Sequence, residues 1–240
     1  MKLHAFGDSF TVGDQDDFDQ FKDFDARLEY LRYNVSYISI VASELGYTLV
    51  NHACRGSGNF PQIDKLWNNF LNNNITSDDL VFFAMSTSSR DRSTCIELKK
   101  ATSTSWGECV IDREMLLSGN GQQIHELDYF YALSVLDQIR RKFNIKIIIM
   151  QAFDQCLDKN YAIRHLFNFE GFIGCNHLNN TFINILNDTW ANDKELIEYG
   201  GNHLKITIPP GYDHLYTEDR HPSIEGHKKI AQWLLKNVEF

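Results

Sequence analysis

A chain of 240 residues with 43% hydrophobic and 23% charged side chains carries enough apolar material for one compact α/β domain, which excludes a disordered or fibrous chain. Its formal net charge of -9 argues against a nucleic-acid partner and against an anionic membrane surface. The 5 cysteines (Cys54, Cys95, Cys109, Cys156 and Cys175) are odd in number and scattered without a C-x-x-C pair, so neither a disulfide framework nor a zinc site is expected.

Leu3, Ala5 and Phe6 read as a short buried strand that begins almost at the first residue. No basic, apolar leader precedes it, and no apolar run reaches transmembrane length, so a reducing cytosol is the expected location; for a viral source a particle-borne one is equally open. Gly7-Asp8-Ser9-Phe10 follows the strand and sets Ser9 at its C-terminal end, the edge where open α/β sheets bind ligands. A serine there is a candidate nucleophile if a base and oxyanion donors arrive from elsewhere, although Gly-Asp-Ser also makes ordinary turns and caps. Residues 14–34 read as an acidic, aromatic insertion near the mouth of such a site.

Val35 to Leu45 has helical apolar spacing and ends at Gly46; Tyr47 to Ala53 reads as a second strand. A glycine-rich turn, Arg55-Gly56-Ser57-Gly58-Asn59, then leads into a helix marked by Ile63, Leu66, Trp67 and Phe70. Leu80 to Met85 is a continuous apolar run, as expected for a central parallel strand buried on both faces. It runs into Ser86-Thr87-Ser88-Ser89-Arg90. A second insertion is expected near 90–120, an amphipathic helix over Gln122 to Phe143, a fourth strand over Ile145 to Phe153, and a cap over 154–200. Leu204 to Ile208 reads as a last short strand, broken by Pro209-Pro210-Gly211.

Near the C-terminus, Glu218-Asp219-Arg220-His221-Pro222-Ser223 precedes Gly226-His227 and a final helix, with Ser223 placed as its N-cap. An acid and a histidine thus share one short loop. Together, Gly7-Asp8-Ser9 at one end and acid-x-x-His-Pro-Ser-x-x-Gly-His at the other resemble the GDSL esterases, also called SGNH hydrolases, in the expected order along the whole chain. The Ser/Thr turn followed by arginine is similar to a divergent, often phage-encoded branch of that superfamily.

The resemblance implies a three-layer α/β/α sandwich, one domain over residues 1–240, with a parallel, flavodoxin-like sheet of about five strands. It implies serine ester hydrolysis through an acyl-enzyme, with Ser9 as nucleophile and His221 as base. The acid that orients His221 is Glu218 by family spacing and Asp219 by family residue type; spacing is favoured, and both remain candidates. The oxyanion donors implied are the backbone amides of Ser9 and Gly56, with Gly58 the alternative. The family's asparagine after the third strand is missing, so a hydroxyl of Ser86 or Thr87 is the expected third donor. Asn59 and Arg90 are candidate substrate contacts. No metal and no cofactor is expected. The expected partner is a small-molecule or glycan ester, a carbohydrate O-acetyl ester first, because polar, aromatic insertions suit sugar faces. The rival is a glycan-binding or structural module that kept the fold without catalysis.

Overall fold

A computed structural model describes residues 1–14, 23–86, 120–152, 181–188, 197–200, 203–206 and 208–240. Strand β1 (Lys2–Phe6) lies at the centre of a parallel sheet. It pairs on one side with β2 (Thr48–Asn51) and on the other with β3 (Leu80–Met85), and β3 carries β4 (Lys146–Gln151) on its far side. The order β2-β1-β3-β4 is the first part of a flavodoxin-like winding. After β2 the chain crosses back over β1 to lay down β3. The crevice beyond the C-terminal ends of β1 and β3 is therefore the topological switch point, where such sheets bind ligands.

The layers follow from period-two alternation along the strands. Leu3 and Ala5, Leu80, Phe82 and Ala84, and Ile148 and Met150 point to one face. There they meet α3 (Tyr37–Glu44), α6 (Phe182–Leu186) and α7 (Ile224–Asn237). Phe6, Val81, Phe83, Met85, Ile147 and Ile149 point to the other, against α4 (Asn59–Leu71) and the C-terminal half of α5 (Asn120–Phe143). Every residue of β3 is buried, as its unbroken apolar run requires. Pro61 sits in the first turn of α4, where a missing N–H leaves no bond unmade.

The main sheet has four strands among the described residues, with one isolated parallel bridge, Gln151 to Thr181, beside the end of β4. The run at Leu204 belongs to β6 (His203–Ile206), which pairs antiparallel with β5 (Ile197–Gly200) in a separate two-stranded sheet. Within the acidic stretch at 14–34 the chain is helical from Phe24. Asp23 accepts the Ala26 amide and caps α2 (Phe24–Asn34), which follows the one-turn helix α1 (Ser9–Val12). The insertions expected near 90–120 and 154–200 lie for most of their length outside the described residues.

The final helix docks through a glycine. Ser223 caps α7 by accepting the Gly226 amide at 3.2 Å, and a Cβ at Gly226 would meet the Leu215 carbonyl oxygen at 2.3 Å. Helix propensity alone predicts that Gly226→Ala stabilises the chain by about 1 kcal/mol. The contact reverses the sign, because backbone must move to admit the methyl, and overpacking of this kind costs about 1–3 kcal/mol. Urea unfolding of Gly226→Ala is expected to show a midpoint below that of the native chain. A raised midpoint would remove the packing argument.

Candidate active site

The sequence builds the site from its two ends. Gly7 closes β1 in a conformation that admits no side chain, since a Cβ there would meet Thr11 Oγ1 at 2.4 Å. Asp8 then turns the chain into α1: its Oδ1 accepts the Phe10 amide at 3.1 Å and its main-chain carbonyl accepts the amides of Thr11 and Val12. This presents Ser9 as the first residue of α1, at the switch point. From the other end, a 3-10 turn (Asp213–Leu215) leads into a closed loop. Tyr216 bridges Pro222, the Thr217 amide donates to the His221 carbonyl at 2.8 Å, and Arg220 adopts a left-handed φ of 68°.

That loop delivers His221 to Ser9. His221 Nε2 lies 2.8 Å from Ser9 Oγ, and His221 Nδ1 lies 2.6 Å from Asp219 Oδ2. A carboxylate only accepts, so Nδ1 carries the proton and Nε2 is left as the acceptor for the Ser9 hydroxyl. The carboxylate against the ring belongs to Asp219, which corrects the preference for Glu218. Arg220 turns the chain between Asp219 and His221, so the residue two before the histidine folds back onto its ring. Asp219 is itself held: the Thr217 hydroxyl donates to its Oδ1, and the His221 amide approaches the same oxygen at 3.4 Å. Burial disfavours the charged form of His221. The hydrogen bond and charge of Asp219, with Asp14 and Asp8 adding, outweigh burial and raise its pKa above the usual histidine value.

The glycine-rich loop after β2 is tied to the turn that carries Ser9. The Cys54 amide donates to the Gly7 carbonyl at 3.1 Å, and Gln62 links the Gly7 amide to the Ser57 hydroxyl. Gly56 sits within this loop at φ 63°. Two other expected residues have different partners. The Ser86 hydroxyl donates to Asp8 Oδ2 at 2.8 Å. Its one hydrogen is thus committed to that carboxylate, which corrects the expectation that Ser86 donates to the oxyanion. Asn59, expected as a substrate contact, is buried and exchanges two hydrogen bonds with the Ser86 backbone, at 2.8 and 3.1 Å. It joins the start of α4 to the end of β3. Thr87 and Arg90 lie outside the described residues.

Other contributors carried no sequence signal. Asn51, the last residue of β2, donates to the Thr11 carbonyl at 2.9 Å and so steadies α1. Thr217 had only its nearness to the acid to mark it. Among the described residues, no three His, Cys, Asp or Glu side chains gather into a group that could hold a metal, and no helix is long and apolar enough to cross a membrane.

Three histidines lie behind the site, His4 and His227 buried and His52 half-buried. His4 Nδ1 is 3.0 Å from His52 Nε2, and His52 stacks on Phe6. Burial lowers the pKa of His4; burial, with His4, Lys65 and Arg32 adding, lowers that of His52 to about 4. His227, wholly buried, accepts the Tyr37 amide through Nδ1. Burial, with His221 adding, lowers its pKa to about 3. These folded pKa values lie below the unfolded value near 6.5, so between about pH 6.5 and 4 the unfolded chain binds more protons than the native one. Stability is therefore expected to fall as pH falls through that window, by about 1.4 kcal/mol per pH unit for each proton taken up. Urea unfolding in steps from neutral pH down through that window measures this. A flat profile over that range would show that these histidines are not held neutral by the fold.

No family model matches the chain, and no curated protein matches it. Solved structures do. A protein of the G-D-S-L lipolytic family from Desulfitobacterium hafniense superposes with a TM-score of 0.50 at 12% identity, over 98% of both chains. A second member, from Veillonella parvula, gives 0.45 at 14% identity, covering 98% of this chain and 97% of its own. A mutant of an acetyl-xylooligosaccharide esterase from Geobacillus gives 0.49 at 18% identity, covering 100% and 94%. The chain has the SGNH, or GDSL, hydrolase fold, an α/β sandwich around a parallel sheet.

Proposed function

We propose that the chain is a serine ester hydrolase that works through an acyl-enzyme. The observation that carries this reading is the hydrogen-bonded series Asp219–His221–Ser9, assembled from the two ends of the chain at the switch point of the sheet. A carboxylate, an imidazole and a hydroxyl in that order are what nucleophilic acyl transfer needs.

The chemistry follows from the geometry. Ser9 Oγ attacks the ester carbonyl carbon while its proton passes to His221 Nε2, and Asp219 stabilises the imidazolium that forms. The tetrahedral oxyanion is held by the amides of Ser9 and Gly56, with Thr87 as the remaining candidate for a third donor. Collapse expels the alcohol, which takes the proton from Nε2, and leaves an acyl group on Ser9. Water then attacks the acyl carbon, losing its proton to Nε2; the second tetrahedral intermediate collapses by breaking the bond to Ser9 Oγ, which takes the proton back from Nε2, and the acid is released. A raised His221 pKa makes the ring a stronger base at neutral pH.

The substrate class proposed is a short acyl ester, with a carbohydrate O-acetyl ester first. The polar, aromatic composition of the insertions suits a sugar face better than an acyl chain. The test has two arms. The protein is expected to turn over p-nitrophenyl acetate, and a fluorophosphonate probe is expected to add its mass to the peptide containing Ser9. Stoichiometric labelling of another serine would remove Ser9 from its role. No turnover and no labelling would favour a glycan-binding module on the same fold.

A further inference from the structure

We infer that the ion pair between Asp14 and Arg55 is a clamp that positions the glycine loop, and with it the Gly56 amide, against the nucleophile turn. Its kinetic consequences rest on the esterase reading of the Ser9 site. Asp14 stands just past α1, and its amide donates to the Ser9 carbonyl at 3.1 Å, as the Gly13 amide does. Its backbone is therefore fixed to the nucleophile residue itself. Its side chain is fully buried. A buried carboxylate without a counter-charge is strongly disfavoured, so its position in the fold depends on a cation. Arg55 supplies it through Nε.

Arg55 immediately precedes Gly56 in the chain. Its guanidinium also lies over the Phe24 ring, 5.4 Å from the centroid, while Arg32 of the same helix donates to the Ala53 carbonyl at 3.2 Å. The cation is thus set between Asp14 and α2, which leaves little freedom to the residue that aims Gly56. The neighbouring ties, Cys54 to Gly7 and Ser57 to Gln62, are neutral hydrogen bonds on either side of it. A donor misplaced by about 1 Å lowers the rate about a hundredfold, so fixing Gly56 has a large kinetic consequence.

Asp14 has a second effect through its charge. Among the described residues, the titratable groups that face His221 are Asp219 on its own loop, Asp8 and Asp14 on the nucleophile segment, and the neutral, buried His227 on α7. Removing the Asp14 charge takes away one of the contributions that raise the pKa of His221. The acid limb of kcat/KM then moves to lower pH.

The experiment compares Arg55→Gln, Arg55→Lys, Asp14→Asn and the double variant Asp14→Asn/Arg55→Gln with the native chain. Each is measured by p-nitrophenyl acetate kinetics and by amide hydrogen exchange. In Arg55→Gln, kcat is expected to fall about 10–100-fold with KM within about threefold, and Arg55→Lys to recover part of the loss. Exchange at Cys54 and Ser57 is expected to rise about tenfold or more while β1 and β3 stay protected. Asp14→Asn is expected to shift the acid limb downward. If Arg55→Gln does not fold, the double variant, which buries no lone charge, gives the same readings. Folded variants with kcat within about twofold of native and unchanged exchange at Cys54 and Ser57 would overturn the clamp. A native chain that hydrolyses no ester, with a loop that loosens in Arg55→Gln, keeps the clamp and rejects the esterase reading instead.

Discussion

Replacing Ser9 with alanine is expected to lower kcat for a short acyl ester by about a millionfold, the scale seen when the nucleophile is removed from a serine–histidine–carboxylate unit. Among the described residues, the neighbouring hydroxyls are engaged elsewhere, and Ser9 Oγ lies 2.8 Å from His221 Nε2. The nearby Ser86 hydroxyl is held on Asp8, with its hydrogen engaged there. Thr11 has its hydroxyl on the Tyr37 hydroxyl at 2.7 Å. On the proposed acyl-enzyme reading Ser9 and His221 act as one unit, so losses are not additive: His221→Ala and the double variant are expected to fall to about the same floor as Ser9→Ala. The fold should persist, since Asp8 still caps α1 through the Phe10 amide and a methyl replaces one small hydroxyl. Single-turnover kinetics with p-nitrophenyl acetate on protein of native circular dichroism measures the loss. A loss smaller than about tenfold, or a double variant much slower than either single one, would mean that the nucleophile is another residue.

The parts of this molecule that could be read from sequence are those governed by neighbours in the chain. The unbroken apolar run of β3 specifies a strand buried on both faces, and the structure has Leu80–Met85 in that place. Ser223 and Gly226 follow the spacing of a helix start, and the cap is made. What could not be read depends on chain segments meeting in space. Ser86 looks available when its own turn is considered alone; its partner Asp8 is 78 positions away and is brought to it by the pairing of β1 with β3. Asn59 looks like an exposed polar residue after a glycine turn, yet α4 starts beneath the end of β3 and burial commits it to the Ser86 backbone. The pair of Asp14 and Arg55 has the same origin, because β1 and β2 lie side by side and set the segments that follow them together. The pairing of β5 with β6 is not legible for a different reason: the apolar run at Leu204 fits a strand of the main sheet equally well.

Asp219→Asn is expected to lower kcat by about four orders of magnitude, while Glu218→Gln stays within about twofold of the native chain. In the serine-protease example that sets this scale, the carboxamide leaves the geometry in place and spoils the tautomer. The same logic applies here. Asp219 Oδ2 accepts from Nδ1 at 2.6 Å and keeps the lone pair of Nε2 toward Ser9. The Thr217 hydroxyl donates to the other oxygen, Oδ1, so in the Asp219→Asn variant the amide oxygen is drawn to Thr217 and the NH2 turns toward the ring. An amide donor facing Nδ1 forces the proton onto Nε2, which then cannot accept from Ser9. The charge is lost as well, and with it the main influence that holds the His221 pKa above its usual value against burial. The residual activity is therefore expected to have its acid limb at lower pH than the native chain, a direction that a general loss of folding does not produce. Glu218 is one position further from the turn at Arg220, and Asp219 holds the ring, so its amide should leave both kcat and the pH profile in place. The measurement is kcat at saturating ester for the two variants, from mildly acidic to mildly alkaline pH. An active Asp219→Asn beside a crippled Glu218→Gln would return the orienting role to Glu218 and show that the loop rearranges when substrate binds.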